Sequence, residues 1–329
     1  MNDAKPLALI IGMTGGIGSA AGRALAAQGF RLRALQRGSA PRAAAGIDWV
    51  KGDAMNAADV AAAARGAQVI VHGANPAGYR NWRGLAIPML ANTIAAARQT
   101  GATILFPGNV YNFGADAGAA LTEQSAQNPQ TRKGAIRVEM EQMLRDASQT
   151  GARVVIVRAG DFFGPGARGS WFSQGLVKPG KAVRRVTYPG LPDVGHAWAY
   201  LPDVAETMAR LAVRRAEFSA FEMFHFGGHW LPRGGAMADA ICDAAGIDRS
   251  RVGAFPWWAI YALSPFVETL REMKEMRYLW QRPVALDNRK LVAVLGSEPH
   301  TPLPEAVRET LRVLGCFTSQ RGMMNSFAG

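Results

Sequence analysis

The clearest chemical signature in the chain is the segment IIGMTGGIG, at residues 10–18. Three of its glycines are spaced three apart, after an apolar run typical of a strand and before a pattern typical of a helix. Glycine lets backbone amides approach a pyrophosphate, which the N-terminus of the helix then binds. The motif therefore predicts a dinucleotide site, and the alternative is a strand–helix turn without a ligand. The predicted contacts come from Gly12, Thr14, Gly15, Gly16, Ile17 and Gly18.

The end of the second predicted strand, RLRALQRG, bears on which dinucleotide is bound. An NAD site usually carries Asp or Glu there, bonded to the ribose 2′-hydroxyl, whereas this chain has Gln36 followed by Arg37. The planar guanidinium matches phosphate oxygens bidentately, so Arg37 favours NADP(H), with NAD(H) left open. Arg33 and Arg42 could add positive charge. The alternative is that Arg37 is simply one of 30 arginines on the surface.

Asp53 follows the third predicted strand in the segment VKGDAMN. An acidic side chain at this point can reach the amino group of an adenine, and Ala54 would lie beside it. The alternative is that Asp53 caps the next helix, since Asp is a favoured N-cap residue.

Polar and aromatic side chains follow the fourth and fifth predicted strands, at the sheet edge where ligands bind in such folds. Asn109 could orient a substrate carbonyl and Tyr111 could donate a proton to it, unless Tyr111 is a packing residue. Tyr79 and Trp82 lie in the loop after the fourth strand, as substrate contacts or as a surface lid. The remaining predicted cofactor contacts at this edge are Ala74, Asn75 and Gly108.

These residues are positioned by short apolar runs that alternate with alanine-rich helical patterns over the first two-thirds of the chain. Such alternation predicts right-handed βαβ units in an α/β fold, a Rossmann-type doubly wound parallel sheet. A smaller, mainly helical C-terminal substrate-binding region follows. We predict a cofactor domain of residues 1–169 and 196–227, a substrate-binding region of residues 170–195 and 228–317, and a mobile tail at residues 318–329.

The predicted substrate side is rich in aromatic residues, which suits a mainly apolar small-molecule pocket and is equally explained by core packing. Phe162 and Trp171 are the predicted substrate contacts. The other aromatic residues of this predicted wall are Phe172, Phe255, Trp257, Trp258, Tyr261 and Phe266. The densest basic cluster, Lys178, Lys181, Arg184 and Arg185, suggests an anionic substrate or a solvated basic loop.

The composition narrows the function class. The net charge is +12, but it comes from dispersed arginine, and no nucleic-acid-binding motif accompanies it, so we predict no nucleic-acid partner. The two cysteines and the five histidines do not show metal-ligand spacing, and we predict no metal. The longest apolar stretch, residues 254–267, is too short to span a membrane, and the N-terminus is not typical of a signal peptide. We therefore expect a cytoplasmic protein with a small-molecule substrate and no membrane partner.

The order of these motifs resembles the short-chain dehydrogenase/reductase superfamily, in its extended, NAD(P)-dependent epimerase/dehydratase branch. The resemblance covers about residues 7–228. It is carried by the glycine loop, by GD at residues 52–53, and by VIVHGANP at residues 69–76. It continues in FPGNVYNFG at residues 106–114, VRAGDFFGPG at residues 157–166 and HAWAYLPDVAE at residues 196–206. The resemblance implies a Rossmann fold, NAD(P) binding, and helices that often pair into a homodimer.

The catalytic residues of that superfamily are replaced in this chain. Its active members carry Ser or Thr at the end of the fifth strand and Tyr-x-x-x-Lys on the following helix. The serine position falls here on Pro107 or Gly108, while Lys133 stands where Tyr belongs and Arg137 where Lys belongs. Arg137 cannot deprotonate at working pH, but it could hold a ribose hydroxyl or a phosphate. Asn109, Tyr111 and Arg137 are therefore the predicted catalytic-site residues.

Together these features predict an NADP(H)-binding, atypical short-chain dehydrogenase/reductase that acts as an oxidoreductase on a small carbonyl or alcohol. Two alternatives stay open. One is a nucleotide-sugar epimerase or dehydratase that works without the usual dyad, and the other is a catalytically silent NADP(H) sensor.

Overall fold

The computed structural model describes residues 5–38, 46–76 and 81–317. Tyr79, Arg42 and the predicted mobile tail lie outside these ranges. The strands, in chain order, are β1 (Leu7–Ile11), β2 (Arg31–Gln36), β3 (Ile47–Lys51), β4 (Val69–His72), β5 (Thr103–Gly108), β6 (Ala120–Leu121), β7 (Arg153–Arg158), β8 (Asp161–Phe163), β9 (Val186–Tyr188), β10 (His196–Tyr200), β11 (Phe221–His225), β12 (His229–Leu231), β13 (Val252–Ala254) and β14 (Ala285–Leu286).

The α-helices, in the same order, are α1 (Gly16–Ala27), α2 (Ala57–Ala64), α3 (Trp82–Thr100), α4 (Arg132–Gln149), α5 (Leu201–Val213), α6 (Ala236–Ala245), α7 (Trp257–Leu263), α8 (Glu268–Glu275), α9 (Arg289–Leu295) and α10 (Leu303–Val313). A 3-10 turn, Val110–Asn112, follows β5 directly.

The central sheet has seven parallel strands in the order β11-β7-β5-β4-β1-β2-β3. Its inner strands β1, β4 and β5 are buried along their whole length because both faces are covered by helices, whereas the edge strand β3 is partly exposed. In β1, Leu7, Leu9 and Ile11 face the layer of α2, α3 and α4, whereas Ala8 and Ile10 face the layer of α1 and α5. The predicted doubly wound Rossmann-type fold is thus confirmed.

The strand order reverses between β1 and β4, which are parallel neighbours in the sheet although β2 and β3 separate them in sequence. At such a switch point the loops after the two strands diverge and leave a crevice at their carboxyl ends. The glycine loop follows β1 and the segment 73–76 follows β4, so both border this crevice.

The C-terminal part has its own core, around Phe172, Trp198, Ile241 and Trp280. Its strands form small sheets: β12-β10-β8, β13-β9 and β14-β6. Strand β10 lies in the predicted cofactor-domain range 196–227. It pairs with β8 and β12 and is not part of the seven-stranded sheet. The strand that completes the large sheet is β11, which pairs with β7.

Candidate active site

The glycine loop is a tight turn whose geometry requires glycine at two positions. Gly12 has a φ of +94°, and a Cβ there would lie 2.7 Å from the amide nitrogen of Ala74, in the loop after β4. A Cβ on Gly18 would lie 2.7 Å from the carbonyl carbon of Gly12 and closer still to its oxygen. The first turn of α1 therefore folds back against the end of β1, and the loops after β1 and β4 touch.

The N-terminus of α1 presents its backbone amides without a side-chain cap. The helix begins at Gly16, two residues before Gly18, and its N-cap Gly15 has no side chain to accept from them. Thr14 and Gly15 are exposed, while Ile17 is half-buried. Uncapped amides and the positive end of the helix dipole favour an anion such as a pyrophosphate. The loop therefore fits the dinucleotide that its sequence predicts.

Two arginines near the carboxyl end of β2, Arg33 and Arg37, have different surroundings. Arg33 donates to the Asp48 carboxylate at 2.7 Å and to the carbonyl oxygens of Ala63 and Arg65, so it ties β2 to β3 and α2. Arg37, directly after β2, is exposed and forms no ion pair with another described residue. Of these two side chains, Arg37 is the one available to an added phosphate.

Asp53 lies in a turn just before α2. Its Oδ1 accepts from the amide of Met55 at 3.0 Å, but the N-cap of α2 is Asn56, which accepts from the amides of Ala58 and Asp59. The alternative role of Asp53 as the helix cap is therefore wrong. The carbonyl oxygen of neighbouring Ala54 accepts from Asn92 of α3. Contacts of Asp53 and Ala54 with an adenine stay predictions.

Trp82 is the first residue of α3, and its side chain is buried. Its ring is 5% exposed, and its Nε1 donates to Asn75 Oδ1 at 2.8 Å. The sequence predicted a substrate contact, yet the side chain packs in the core under α3 and fixes Asn75 at the crevice. An apolar ring with one polar atom fills such a position well.

The N-terminal half of α4 carries charged side chains on a face turned into the protein. Lys133, Arg137 and Glu141 are spaced four apart, so they share one side of the helix. Arg137 Nη1 donates to the carbonyl oxygen of Pro107 at 3.3 Å, and its guanidinium lies 5.4 Å from the ring centres of both Trp82 and Phe106. This places Arg137 below the carboxyl ends of β4 and β5, beside Asn75.

Lys133 is buried in the first turn of α4, with its side chain directed toward α8. Its Nζ lies 3.6 Å from Glu272 Oε2, and the two residues are 2% and 7% exposed. Burial lowers the pKa of Lys133 to about 8, although Glu272 and Glu275 act in the opposite direction. Sequence reasoning noted Lys133 in the tyrosine position but missed its partner, because nothing in the local pattern links residues so far apart.

The loop after β5 is held by a second buried ion pair. Arg158 Nη2 donates to Glu141 Oε2 at 2.6 Å, and Arg158 Nη1 donates to the carbonyl oxygen of Asn109. Asn109 Oδ1 accepts from the amide of Tyr111 at 3.0 Å and caps the short 3-10 turn. Tyr111 is half-buried and packs toward Met276 of the C-terminal part. Asn109 and Tyr111 thus lie together directly after β5, and their contact with a substrate stays a prediction.

Some of the aromatic residues predicted to form a wall pack around Trp171, and others lie elsewhere. The Trp171 ring centre lies 5.9 Å from those of Phe255 and Trp257 and 5.3 Å from that of Trp280. In contrast, Trp258 and Phe266 are 77% and 85% exposed, so they do not line this wall. Phe162 is also elsewhere, packed toward Ile17 and Leu201 on the α1–α5 side.

A buried polar pair that sequence reasoning missed lies beside this wall. Asp161 Oδ2 and His196 Nε2 are 2.8 Å apart, and the His196 ring stacks on Trp280 with 4.0 Å between ring centres. Burial, together with the Asp161 carboxylate, raises the pKa of both Tyr188 and Tyr278. Of these three residues, only His196 is in contact with Asp161, whereas Tyr188 and Tyr278 are affected by its charge. The pairing of β8 with β10 brings Asp161 and His196 together.

The basic cluster of residues 178–185 has all four of its charged side chains exposed. Its backbone packs against the end of α10, where Gly180 donates to Leu314 and Val183 to Cys316. This arrangement fits the solvated loop of the two interpretations. In the described ranges, no group of three or more His, Cys, Asp or Glu side chains is arranged to hold a metal. None of the described helices combines the length and apolar character needed to cross a bilayer.

Comparison with solved structures shows a shared fold. The UDP-glucose 4-epimerase of Thermus thermophilus, solved with NAD, is 20% identical, with a TM-score of 0.68 over 94% of this chain and 98% of that chain. The dTDP-glucose 4,6-dehydratase DesIV of Streptomyces venezuelae, solved with NAD and TYD, is 19% identical, with a TM-score of 0.71 over 93% and 96%. The enzyme WbmH of Bordetella bronchiseptica, in complex with NAD+, is 17% identical, with a TM-score of 0.68 over 94% and 98%.

Comparison with curated protein sequences gives no match. The family model of NAD-dependent epimerases and dehydratases, however, matches residues 8–227, about two-thirds of the chain. This range contains the glycine loop, nearly all of the seven-stranded sheet and the whole of α4. The chain is therefore an enzyme that belongs to the NAD-dependent epimerase/dehydratase family.

Proposed function

We propose that this enzyme binds NADP(H) and acts as an oxidoreductase on a small, mainly apolar carbonyl or alcohol. The observation that carries the cofactor assignment is Arg37. It stands exposed at the carboxyl end of β2, where NAD sites usually have a carboxylate. A bidentate guanidinium–phosphate contact there would select the 2′-phosphate of NADP(H).

The residues present fit such a cofactor. The uncapped amides at Gly16, Ile17 and Gly18 would hold the pyrophosphate, and the guanidinium of Arg137 would hold a ribose hydroxyl. When bound, the cofactor supplies or accepts a hydride. The residues of the chain need mainly to position it, because the cofactor carries that chemistry itself.

The substrate side supports a small and mainly apolar molecule. Its wall is formed by the rings of Trp171, Trp257 and Phe255, with Asp161 and His196 as the buried polar pair beside them. Few polar groups in an apolar surround are typical of small-molecule sites. The exposed basic loop at residues 178–185 lies against α10 and gives no support to a diphosphate site.

A nucleotide-sugar epimerase or dehydratase is the second candidate, favoured by the family and by the names of its solved relatives. The absence of Tyr at position 133 does not separate this candidate from the oxidoreductase, since the resemblance implies the same tyrosine for both. The third candidate, a silent NADP(H) sensor, would bind cofactor in the same way and turn over nothing.

The cofactor assignment is tested by titrating the protein with NADPH and with NADH while nicotinamide fluorescence is followed. We expect tighter binding of NADPH, and a loss of about tenfold in NADPH affinity for Arg37→Ala, because a hydrogen-bonded contact with a charged group contributes about 1.5 kcal/mol or more. NADH affinity should stay the same. Arg312→Ala is the matched control, since Arg312 is an exposed arginine on α10 that pairs with Glu309. Equal effects of the two substitutions, or tighter NADH binding, would refute the assignment.

The reaction class is tested by following NADPH consumption against a panel of aliphatic and aromatic aldehydes and ketones, beside a panel of nucleotide sugars. The proposal predicts consumption with members of the first panel. Conversion of a nucleotide sugar without net NADPH consumption would support the second candidate. Inactivity on both panels, with NADPH bound, would support the sensor.

A further inference from the structure

The outer side of α7 and of the turn after it exposes a dense group of large apolar side chains. Ten such side chains are well exposed among the described residues, and half of them lie within residues 258–267. These are Trp258, Tyr261, Leu263, Phe266 and Val267, which we call the apolar patch. Soluble proteins expose apolar residues singly, whereas a concentrated patch marks an interaction surface.

The opposite side of α7 belongs to the core. Trp257 and Ile260 are buried there, and Trp257 Nε1 donates to the carbonyl oxygen of Pro189 at 2.7 Å. A surface helix normally turns charged and polar side chains to water, but residues 252–267 contain no charged residue. Both sides of α7 are therefore apolar, although only one of them packs against the protein.

Three cations of the following segment are held against the apolar patch. Arg271 Nη2 donates to the carbonyl oxygen of Pro265 at 3.2 Å. Lys274 Nζ lies 4.8 Å from the centre of the Tyr261 ring, and Arg277 Nη1 donates to the Tyr261 hydroxyl at 3.2 Å. Arg271 and Lys274 are exposed, and Arg277 is half-buried. Positive charge therefore borders the patch.

The acidic side chains of α8 do not cancel this charge. Among them only Glu268 is exposed. Glu272 is buried and paired with Lys133, while Glu275 is half-buried and accepts from the amide of Arg132. The exposed charge beside the patch is therefore positive, as is the net charge of the chain. A surface of this sign is complementary to anionic lipid headgroups.

We propose that the apolar patch docks the protein on the surface of a bilayer that contains anionic lipids. Trp258 and Phe266, its two most exposed side chains, enter the boundary between headgroups and acyl chains, while Arg271 and Lys274 contact lipid phosphates. Tryptophan, phenylalanine and leucine beside lysine and arginine are typical of segments that lie in this boundary. The inference does not depend on the proposed oxidoreductase function, because it concerns binding without turnover.

A lipid surface suits the patch better than a second copy of the chain. In a two-fold symmetric dimer the same surface lies on both copies. A patch at the symmetry axis would bring its three cations toward the identical cations of the other copy. Phe266 also extends into solvent, and fluid hydrocarbon accepts its ring without a matching pocket.

The sequence alone predicted no membrane partner, because the apolar stretch of residues 254–267 is too short to span a bilayer. A segment that lies in the headgroup region does not need the length of a spanning helix. The structure adds the observation that decides between a core segment and a docking segment, namely which side chains of this stretch face outward.

The first test is flotation of the full-length protein with extruded vesicles of pure phosphatidylcholine or of phosphatidylcholine with phosphatidylglycerol. We expect the partition coefficient to be at least about tenfold higher for the anionic vesicles, because each nearby cation strengthens binding. Binding to them should weaken in high salt, since salt screens exposed charges. Wild-type protein that floats with neither kind of vesicle would overturn the proposal.

Paired substitutions separate the patch from the net charge. Trp258→Ser combined with Phe266→Ser keeps every charge and should lower the partition coefficient at least about tenfold, because two apolar rings no longer leave water. Val213→Ser combined with Val313→Ser is the matched control, since these valines are exposed at the ends of α5 and α10. The control should bind as the wild type does. If the patch variant also binds normally, the net charge alone adsorbs the protein and the proposal is wrong.

The cations at the patch are tested singly. Arg271→Gln and Lys274→Gln should each lower binding to the anionic vesicles about fivefold and leave binding to pure phosphatidylcholine unchanged. Glu268→Gln removes the exposed carboxylate and should strengthen binding to the anionic vesicles. Equal binding of all three variants would overturn the assignment of an anionic surface.

A measurement on the wild type locates the patch in the bilayer. The chain has eight tryptophans, and vesicles with brominated phosphatidylcholine quench those that reach the acyl chains. We expect quenching in the wild type and loss of most of it in Trp258→Phe, which keeps a ring and should still bind vesicles. Light scattering without lipid tests the second copy as the occupant. A dimer that the double serine variant of the patch abolishes, together with no quenching in the wild type, would overturn the proposal.

Discussion

The two ends of the cofactor crevice are built in opposite ways. At the glycine-loop end, Gly12 and Gly18 contact each other although they are close in sequence, and the loop after β4 packs against Gly12. At the α4 end, Lys133 meets Glu272 from the distant C-terminal part of the chain. The first end keeps the residues of its family, whereas the second has lost the tyrosine and the lysine that the resemblance implies.

The difference teaches where this enzyme can change its chemistry. Steric limits at the glycine loop are local, because a Cβ on Gly12 or Gly18 would overlap backbone atoms. At the α4 end, substitutions are limited by electrostatics, because a buried charge on α4 needs a partner of opposite charge on another element. A new charge on α4 is tolerated there as long as α8 or β7 supplies its partner, as Glu272 and Arg158 do.

The largest effect is expected from breaking the second buried pair at the α4 end. Arg158→Met leaves Glu141 buried and without its 2.6 Å partner, and it removes the bond to the Asn109 carbonyl oxygen. Loss of one partner of a buried ion pair typically costs about 3–5 kcal/mol. We expect a decrease of this size in the free energy of unfolding, measured by urea denaturation.

The matched control replaces both partners. Arg158→Met combined with Glu141→Leu removes the uncompensated charge and should recover most of the lost stability. If the double variant is as unstable as the single one, the cost comes from lost packing and not from the buried charge, and the electrostatic view of the α4 end is wrong.

A smaller loss of stability is expected at the other end, from Gly18→Ala. The added methyl group would overlap the carbonyl group of Gly12, and overpacking of this kind typically costs about 1–3 kcal/mol. NADPH affinity should fall at least tenfold, because the first turn of α1 must shift. Ala26→Ser, at an exposed position of the same helix, should change neither quantity. A Gly18→Ala protein with normal affinity would contradict the steric account.

The smallest effect at neutral pH is expected between the two ends, at His72, and it grows as the pH falls. Its Nδ1 is 2.8 Å from Thr93 Oγ1, and burial, with a smaller effect of Arg137, lowers its pKa to about 3. Between pH 6.5 and 3 the unfolded chain binds a proton that the folded chain does not, so stability falls as pH falls. The slope is about 1.4 kcal/mol per pH unit for one such histidine.

Replacing His72 should make the free energy of unfolding depend less steeply on pH in acid. We expect His72→Asn, followed by urea denaturation between pH 6.5 and 4.5, to reduce the slope by about one histidine's share. His225 and His229 keep theirs, because burial lowers their pKa values to about 3 and 4. An unchanged slope would mean that His72 is accessible to protons in the folded enzyme.

The sequence was sufficient for the parts of the fold that local patterns encode. The strands predicted before the glycine motif and in the segment RLRALQRG are found, at Leu7–Ile11 and Arg31–Gln36, because apolar residues bounded by glycine and polar residues define them. The helix predicted after the motif is also found, but it begins inside the motif at Gly16, since glycines lower helix propensity without preventing a helix whose first turn is packed.

Residue type alone was not sufficient where tertiary contacts decide a role. Trp82 was predicted to contact substrate, yet it is buried in the core, whereas Phe162 is half-buried beside Ile17 and its substrate contact stays a prediction. Lys133 meets Glu272, and Asp161 meets His196, only because separate elements pack together. Such pairs carry no signal in a single sequence, because neither partner has an unusual local pattern.

The central claim is that the enzyme transfers hydride to a small carbonyl substrate and does not return it. The most direct measurement uses NADPH deuterated at the transferable C4 position, with the carbonyl panel and the nucleotide sugars in parallel, and product analysis by mass spectrometry. The account predicts an alcohol product that carries one deuterium, formed in equal amount with NADP+. Deuterium that stays in the cofactor pool while a nucleotide sugar is epimerised or dehydrated would contradict it.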